Sequence, residues 1–356
     1  MGQIRVAFWN LQNLFDTTPN AIATDLEFTP AQDWTRAAFD AKRKNLAEII
    51  ARMHEGRGPD LLGVCEVEGT GLARRLAQDA GLAKHHVAEV SPTDQRGINV
   101  SLIYSKTVFA PVDSESVKGH MIHVRYPTRD ILQVPLTVRA NGARLDVLVN
   151  HWPSRRRGQY ESEPLRIAVA EMAGRVVDEI LKFSYEDLFQ AGGMPKLAAL
   201  KERWNRNVLL MGDFNDEPHS RSVVDHLRAS KDEDHIEEEM KVSGATLDAR
   251  RKNYLDRKPY LFNCMWPQLG SPDLGSLYYS GNTNSANLLD QFMISRGLFY
   301  GNQKLRMKRE SVRIFKAPAM TTPKGRTREF DKKEFKAKGK SGYSDHFPIE
   351  AVIETL

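Results

Sequence analysis

The sequence predicts a layered fold of strands and helices, of the α/β or α+β class, on three observations. Short apolar runs rich in β-branched residues recur along the chain, and such runs are typical of strands. Two longer segments carry their apolar residues at helical spacing instead. The two kinds of segment alternate, which is the pattern of domains in which helices cover sheets.

Each predicted element rests on its own pattern. The run at 4–9 opens the chain as a strand, and further strands are predicted at 61–65, 100–104, 131–138, 145–149, 208–211, 288–294 and 347–353. A helix over 37–53 places Leu46, Ile49, Ile50 and Met53 on one face, at the spacing i, i+3, i+4, i+7. A second helix over 162–183 turns apolar residues inward, namely Ile167, Ala170, Met172, Val176, Val177, Ile180 and Leu181.

No internal repeat and no Pro- or Ser-rich linker divides the chain, so we expect a single domain over 1–356. Two stretches have the composition of surface insertions: 184–205, with a Gly-Gly pair, and 231–239, with a run of acids. We expect neither to carry chemistry, because a hard-metal site needs converging oxygens, whereas a run of acids on a helix faces solvent.

Composition limits the classes of protein that fit. Hydrophobic residues make up 41% and charged residues 27%, the balance of a globular chain rather than a disordered one. Two cysteines, Cys65 and Cys264, are too few for a disulfide framework or a zinc thiolate cluster, so a bound metal should have oxygen ligands. No membrane-length apolar run and no signal peptide is visible. We therefore expect a cytoplasmic protein, with a secreted or periplasmic location open if a leader has been removed.

Positive charge is concentrated in one segment. The chain carries +5 overall, whereas the predicted basic loop at 301–343 holds fourteen Lys or Arg against four acids. On its own such a run is typical of a solvated, mobile loop. Because it ends beside Ser344-Asp345-His346, it also fits a cationic flap that attracts a partner containing phosphate.

Polar side chains stand directly after several predicted strands. They are Glu66 after 61–65, Asn150-His151 after 145–149, Gly212-Asp213-Phe214-Asn215 after 208–211, and Asp290 after Leu288-Leu289. A packed sheet holds neighbouring strand ends rigidly together, so we expect these groups to converge on one pocket.

Each of these residues also has an ordinary structural explanation. Glu66 is either a metal ligand or an exposed carboxylate, because a lone buried carboxylate is costly. Asp213 and Asn215 lie two apart and point to one face of an extended backbone, which suits a cation and a phosphate oxygen, but both residue types also dominate turns. Most single histidines are structural, yet His346 follows Asp345 in this company and is the leading candidate for a base.

Taken together, the motifs resemble the endonuclease/exonuclease/phosphatase superfamily, in its deoxyribonuclease-like branch. They occur in family order over nearly the whole chain: Trp9-Asn10-Leu11, Gly63-Val64-Cys65-Glu66-Val67-Glu68, Arg96-Gly97-Ile98-Asn99-Val100, Asn150-His151-Trp152-Pro153-Ser154-Arg155, Gly212-Asp213-Phe214-Asn215-Asp216, Leu289-Asp290-Gln291-Phe292 and Ser344-Asp345-His346-Phe347-Pro348. Each motif is weak by itself, but the whole set in this order is specific.

The resemblance implies a four-layer α/β/β/α sandwich of two mixed β-sheets flanked by helices, with the active site at one edge. It implies Mg²⁺ or Mn²⁺ as cofactor, held mainly by Glu66, with Asp345 close by and Asp213 and Asn215 as further ligands. The residues implied to bind the scissile phosphate or to act in catalysis are Asn10, His151, Asp213, Asn215, Asp290 and His346, with Asp290 orienting His346.

Three positions leave alternatives open. Arg155 and its two arginine neighbours either bind phosphate, which guanidinium groups match well, or form a solvated basic turn. Gln12 stands where several related abasic-site endonucleases carry an acid, which would put more of the metal shell on Glu66 and Asp345. Asn99 stands where related hydrolases often have Asp. Operation with one metal or with two therefore stays open.

The sequence thus predicts a metal-dependent phosphoesterase, most of all a nuclease that hydrolyses phosphodiester bonds in DNA or RNA. The chemistry agrees, because a carboxylate-held cation neutralises phosphate charge and an Asp-His pair suits proton transfer. The alternative substrate is a small phosphoester, such as an inositol phosphate or a phospholipid headgroup. A catalytically idle binding module is a third hypothesis, and the complete set of acids and histidines disfavours it. No protein partner can be inferred from the sequence.

Overall fold

The computed structural model describes residues 2–18, 27–69, 71–91, 97–122, 129–189, 193–237, 239–271, 275–278 and 286–356. The strands in these ranges are β1 (Gly2–Leu14), β2 (Leu61–Glu68), β3 (His85–Glu89), β4 (Ile98–Ser105), β5 (Lys118–His120), β6 (Ile131–Thr137), β7 (Arg144–His151), β8 (Asn207–Asp213), β9 (Ala229–Ser230), β10 (Leu261–Asn263), β11 (Leu277–Tyr278), β12 (Ala286–Asn287), β13 (Asp290–Ile294), β14 (Leu305–Ile314) and β15 (Ile349–Thr355). The helices are α1 (Arg36–Gly56), α2 (Leu72–Asp79), α3 (Gln159–Leu181), α4 (Tyr185–Phe189), α5 (Leu197–Trp204), α6 (Glu233–Glu237), α7 (Leu247–Asp256), α8 (Arg296–Tyr300) and α9 (Lys332–Lys338). Every predicted strand and both predicted helices coincide with one of these elements.

Two mixed sheets form the centre of the described structure. The first has six strands in the order β14-β15-β1-β2-β4-β3, and the second has seven in the order β5-β6-β7-β8-β13-β10-β9. A parallel pair lies inside each sheet, β1 with β2 and β7 with β8, while β13 and β15 run antiparallel to their neighbours β8 and β1. This arrangement brings the ends of β1, β2, β7 and β8 and the start of β13 to one edge.

The sheets pack face to face through alternating side chains. Along β8, Leu209 and Met211 join the core between the sheets, whereas Val208 and Leu210 pack outward against α3. Each large apolar side chain buried in this way contributes about 1.5–3 kcal/mol. The two sheets lie close together at Gly63, where a Cβ atom would be only 2.5 Å from Met211 Sδ.

Helices cover the outer faces of both sheets. On the first sheet, α1 contacts β1, and α2 contacts β2, β3 and β4. On the second sheet, α3 buries Val169, Ala170, Ala173, Val176 and Val177. The predicted four-layer sandwich of two mixed sheets is therefore confirmed.

Part of the predicted basic loop at 301–343 is regular structure, which corrects the prediction. Residues 305–314 form the edge strand β14, and 332–338 form α9. In β14, buried Leu305 and Met307 alternate with the more exposed Arg306 and Lys308, so the cations mark the solvent face of a strand. In the sequence, the many charged residues of this segment obscured the alternation.

The predicted insertions lie beside the sandwich. The stretch 184–205 contains α4 and α5, which share a small apolar cluster with α7, and 231–239 contains α6; residues 190–192 and 238 lie outside the described residues. Among the described helices, none has the length and apolar character needed to span a membrane.

Candidate active site

The predicted site residues meet at the shared edge of the two sheets. Asp213 ends β8, and in the sheet register it lies opposite His151 of β7 on one side and Asp290 of β13 on the other. On the facing sheet, Asn10 lies opposite Cys65, one residue before Glu66. Strand pairing within each sheet and packing of the two sheets thus bring these residues together.

Asp213 is the centre of the cluster. One carboxylate oxygen accepts a hydrogen bond from Asn10 Nδ2 at 3.0 Å and lies 3.7 Å from His151 Nε2 and 3.9 Å from His346 Nε2. The other accepts the backbone N–H of Asn215 at 2.9 Å. Burial raises the pKa of Asp213 to about 6, with the charge of Asp290 adding to the rise and that of His346 opposing it.

Glu66 lies at the opening of the site, with 16% of its side chain exposed. Its Oε2 accepts the backbone N–H of Asn13 at 2.8 Å, and its Oε1 lies 3.3 Å from Asn10 Nδ2 and 3.5 Å from His151 Nε2. These contacts fix the carboxylate group of Glu66, while part of the side chain faces solvent. Such a preorganised carboxylate is suited to a ligand that arrives from outside.

Backbone strain is concentrated around these residues. Gln12, Asn13, Glu66 and Asn215 all have positive φ, at 52°, 56°, 60° and 49°. A left-handed conformation costs a residue with a Cβ about 1–2 kcal/mol. The bulge it produces in β1 turns the backbone of Gln12 and Asn13 toward Glu66, so the strain shapes the site.

Asp290 and His346 form a buried pair. His346 Nδ1 lies 2.7 Å from Asp290 Oδ2, and neither side chain is more than 6% exposed. Burial by itself lowers the pKa of His346, but the charge and hydrogen bond of Asp290 outweigh it and, with Asp213, hold that pKa well above its usual value. The Asp290 carboxylate thus favours the cationic form of the imidazole, whose Nε2 lies 3.9 Å from Asp213 Oδ2.

Asp345 and Lys42 lie on the side of Glu66. Burial raises the pKa of Asp345; the charge of His346 lowers it, and that of Glu66 raises it further, as a neighbouring carboxylate does. Lys42 of α1 is only 2% exposed, and its ammonium donates to the backbone carbonyl of Gln12. Burial lowers the pKa of Lys42 to about 8, against the opposing charges of Asp345 and Glu66.

The segment before His346 is fixed by Ser344. Its hydroxyl donates to Asn10 O at 2.7 Å and accepts the backbone N–H of His346 at 3.1 Å. Trp9 Nε1 donates to the carbonyl of His346 at 2.9 Å. These bonds tie the motif at the C-terminal end of the chain to β1.

The loop that carries Asn215 is held by arginines. Arg155 donates from Nε to Asn215 O at 2.6 Å and from an Nη to Asp216 at 3.1 Å. Asp216 also pairs with the fully buried Arg166, at 2.8 Å, and Asn215 Nδ2 donates to Trp152 O at 2.9 Å. The side chain of Arg155 thus positions the loop that carries Asn215.

The donor set fits a hard divalent cation. Burial raises the pKa of the Cys264 thiol to about 12 and that of Cys65 well above its usual value, which disfavours the thiolate form of both. Asp213, Asp290 and His346 also converge, with possible ligand atoms within 4.8 Å of one another. In that trio, however, His346 and Asp290 already bond each other, which leaves the carboxylates of Glu66 and Asp345 as the better oxygen ligands.

Every residue that the sequence singled out for chemistry lies at this edge or on the adjoining loop, except that Arg96 lies outside the described residues. Sequence reasoning missed Lys42 and Arg166, and it gave Ser344 no role of its own within the Ser344-Asp345-His346 motif. Lys42 carried a usable signal: it stands three residues after Phe39 and four before Leu46, within the apolar stripe of α1. Arg166 gave none, because its partners are set by tertiary contacts.

A sequence model of the Endonuclease/Exonuclease/phosphatase family matches residues 5–188 and 196–355. No curated protein matches the chain. Among solved structures, an endonuclease/exonuclease/phosphatase family protein from Bacteroides thetaiotaomicron is 12% identical, with a TM-score of 0.55 and coverage of 100% of this chain and 98% of that chain.

Two further structures have the same fold. A mannosyl-6-phosphatase of Bacteroides thetaiotaomicron VPI-5482 is 11% identical, with a TM-score of 0.56 and coverage of 98% of this chain and 99% of that chain. TDP2 of D. rerio, complexed with single strand DNA product, is 12% identical, with a TM-score of 0.51 and full coverage of both chains, 100% and 100%. At these identities the structures bear on fold alone.

Proposed function

Because the chain belongs to the endonuclease/exonuclease/phosphatase family, whose members are metal-dependent hydrolases of phosphoester bonds, we propose that it hydrolyses phosphodiester bonds in nucleic acid with Mg²⁺ or Mn²⁺. The observation that carries the proposal is that two chemically different groups of side chains lie at one edge of the sheets. Glu66 and Asp345 offer carboxylate oxygens on one side, and the buried Asp290–His346 pair lies on the other, with Asp213 between them.

Glu66 and Asp345 would hold the cation, which when bound supplies charge neutralisation at the phosphate and at the leaving oxygen. Around it, Asn10, His151 and Asn215 present the polar groups that orient the phosphate oxygens. Arg155 supports this set by fixing the backbone of Asn215. Its own contact with phosphate stays a prediction.

Proton transfer divides between Asp213 and His346. The sequence favoured His346 as the base, but the Asp290 carboxylate raises the pKa of that imidazole and favours its cationic form, so we assign it as a donor to a phosphate oxygen. Asp213, with a pKa of about 6, is matched to accept a proton from the attacking water near neutral pH. Asp290 then serves to orient and charge His346.

Nucleic acid is favoured as substrate by the position of the basic segment. Gln12, inside the site, donates from Nε2 to Glu329 at 2.9 Å and accepts the backbone N–H of Phe330 at 3.2 Å. Exposed Lys324 and Lys333 stand five residues before and four residues after Glu329 in the sequence, and we infer that they border the site. A polyanionic backbone that continues beyond the scissile phosphate would contact such cations along its length.

The test is a Mn²⁺-supplemented assay on plasmid, single-stranded DNA, RNA, an inositol phosphate and a phospholipid, with His346→Ala as the blank. A variant carrying Lys324→Glu and Lys333→Glu should bind nucleic acid about tenfold more weakly at low salt, with a shallower salt dependence. The matched control, Lys241→Glu with Lys252→Glu, makes the same charge change at exposed lysines outside the basic segment. Cleavage confined to the small phosphoesters would overturn the choice of nucleic acid in favour of the alternative substrate.

A further inference from the structure

Lys42 is a buried cation beside the proposed metal ligands. Its ammonium donates to Gln12 O and lies 5.5 Å from the ring centre of Phe330. The acids whose charges act on it are Asp345, Glu66 and the more exposed Glu329. A lysine is seldom buried without a reason of this kind, because its charge must be compensated.

The ammonium is also connected to Glu66 through the bulge of β1. It holds the carbonyl of Gln12, the backbone N–H of Gln12 donates to Asn10 Oδ1 at 2.9 Å, and the next N–H, of Asn13, donates to Glu66 Oε2 at 2.8 Å. Lys42 therefore stabilises the strained turn that aims both Asn10 and Glu66. Its charge and its hydrogen bond act on the same carboxylate.

We propose that the ammonium of Lys42 takes the place of a second metal ion in this site, so that the Glu66–Asp345 carboxylate pair accepts one divalent ion rather than two. The inference rests on the proposed metal role of those two acids and decides the question that Gln12 leaves open. A divalent ion carries two charges of the same sign as the ammonium, so a second ion beside Lys42 is repelled, and the repulsion is stronger in a buried site than in water. Lys42 is a positioning residue and does not itself contact the reacting atoms.

The experiment is calorimetric titration of the metal-free full chain with Mn²⁺, comparing wild type, Lys42→Met and Lys42→Arg. We expect one Mn²⁺ per chain for wild type and for the arginine variant, which keeps the charge. We expect two for Lys42→Met, in which that charge is gone. One Mn²⁺ in Lys42→Met would overturn the proposal.

Lys182→Met is the matched control. Lys182 is also buried, donates to the carbonyls of Leu255 and Arg257 at 2.8 and 2.6 Å, and lies 5.6 Å from the ring centre of Tyr254. Its loss should cost comparable stability and leave the titration at one Mn²⁺. A second Mn²⁺ in this control would mean that loss of a buried lysine, rather than of Lys42, opens new sites, and would overturn the proposal too.

If Lys42→Met is too unstable to titrate, thermal unfolding replaces calorimetry. Mn²⁺ should then raise the melting temperature of Lys42→Met more than that of wild type, because the ion compensates acids that have lost the charge of Lys42. An equal or smaller rise overturns the proposal. Wild type that binds two Mn²⁺ overturns only the role of Lys42, whereas wild type that binds none overturns the metal site and with it the proposed function.

Discussion

Replacing Asp290 with asparagine tests the buried Asp290–His346 pair. The substitution keeps the shape of the side chain and removes its charge, which lies 2.7 Å from His346 Nδ1. At an effective dielectric of about 20, unit charges at that distance attract by about 6 kcal/mol, and the burial of both groups offsets part of this. Without the charge of Asp290, the pKa of His346 should therefore fall.

The rate should fall about a hundred- to ten-thousandfold, the span expected when a proton-transfer group is disabled. Since the protonated form of His346 is the required one, the alkaline limb of the pH–rate profile should also move to lower pH. The assay is kcat/KM against pH at saturating Mn²⁺, on whichever phosphoester the substrate panel identifies. A purely structural role for Asp290 would leave the position of that limb unchanged.

Asp146→Asn is the control for this experiment. Asp146 is a fully buried carboxylate of the same sheet, paired with Arg144 at 2.7 Å near the end of β7 remote from His151. Its loss should destabilise the fold and leave the pH–rate profile in place. Asp290→Asn with activity within threefold of wild type, or with an unmoved alkaline limb, would refute the reasoning.

Three further substitutions probe single groups. Glu66→Gln should raise the Mn²⁺ concentration needed for half-maximal rate at least about tenfold while changing substrate binding little; the opposite pattern would reassign Glu66 to substrate. Asp213→Asn should stabilise the metal-free protein at pH 8 by up to about 3 kcal/mol, because the folded state raises the pKa of Asp213 to about 6 from 3.8 and so disfavours its charge above that pH. The gain should vanish near pH 3, where the carboxyl is protonated in both states, and chemical denaturation in chelator at both pH values measures it; a gain independent of pH would contradict the assigned shift. Ser344→Ala should lower kcat about tenfold with KM unchanged, since it frees the backbone before His346, and an unchanged kcat would show that Trp9 alone fixes that segment.

The sequence was enough to predict the sheet elements and the convergence of the site. Strands such as 61–65 and 208–211 are short apolar runs, and the polar residues that follow them, Glu66 and Asp213, mark where each strand leaves the core. Since strand pairing then dictates which ends meet, the clustering of carboxylates and imidazoles could be predicted before any contact was known. The family resemblance supplied the order of the layers.

The remainder depends mainly on tertiary contacts. Lys42 stands in a run of basic residues that masked its place in the apolar stripe of α1, and the bulge of β1 covers it. The bulge in turn depends on left-handed backbone at Gln12 and Asn13, neither of which is glycine. The raised pKa of His346 likewise depends on its contact with the Asp290 carboxylate, which pattern alone does not reveal. The basic segment was mistaken for a loop because charge outweighed the alternation of Leu305 and Met307.

Diffraction from crystals of the full chain soaked in Mn²⁺, recorded at an energy where manganese scatters anomalously, tests the central claim most directly. One anomalous peak should appear between the carboxylates of Glu66 and Asp345, within ligand distance of both. A peak held instead by Asp213, Asp290 and His346, or no peak at this edge of the sheets, would contradict the account.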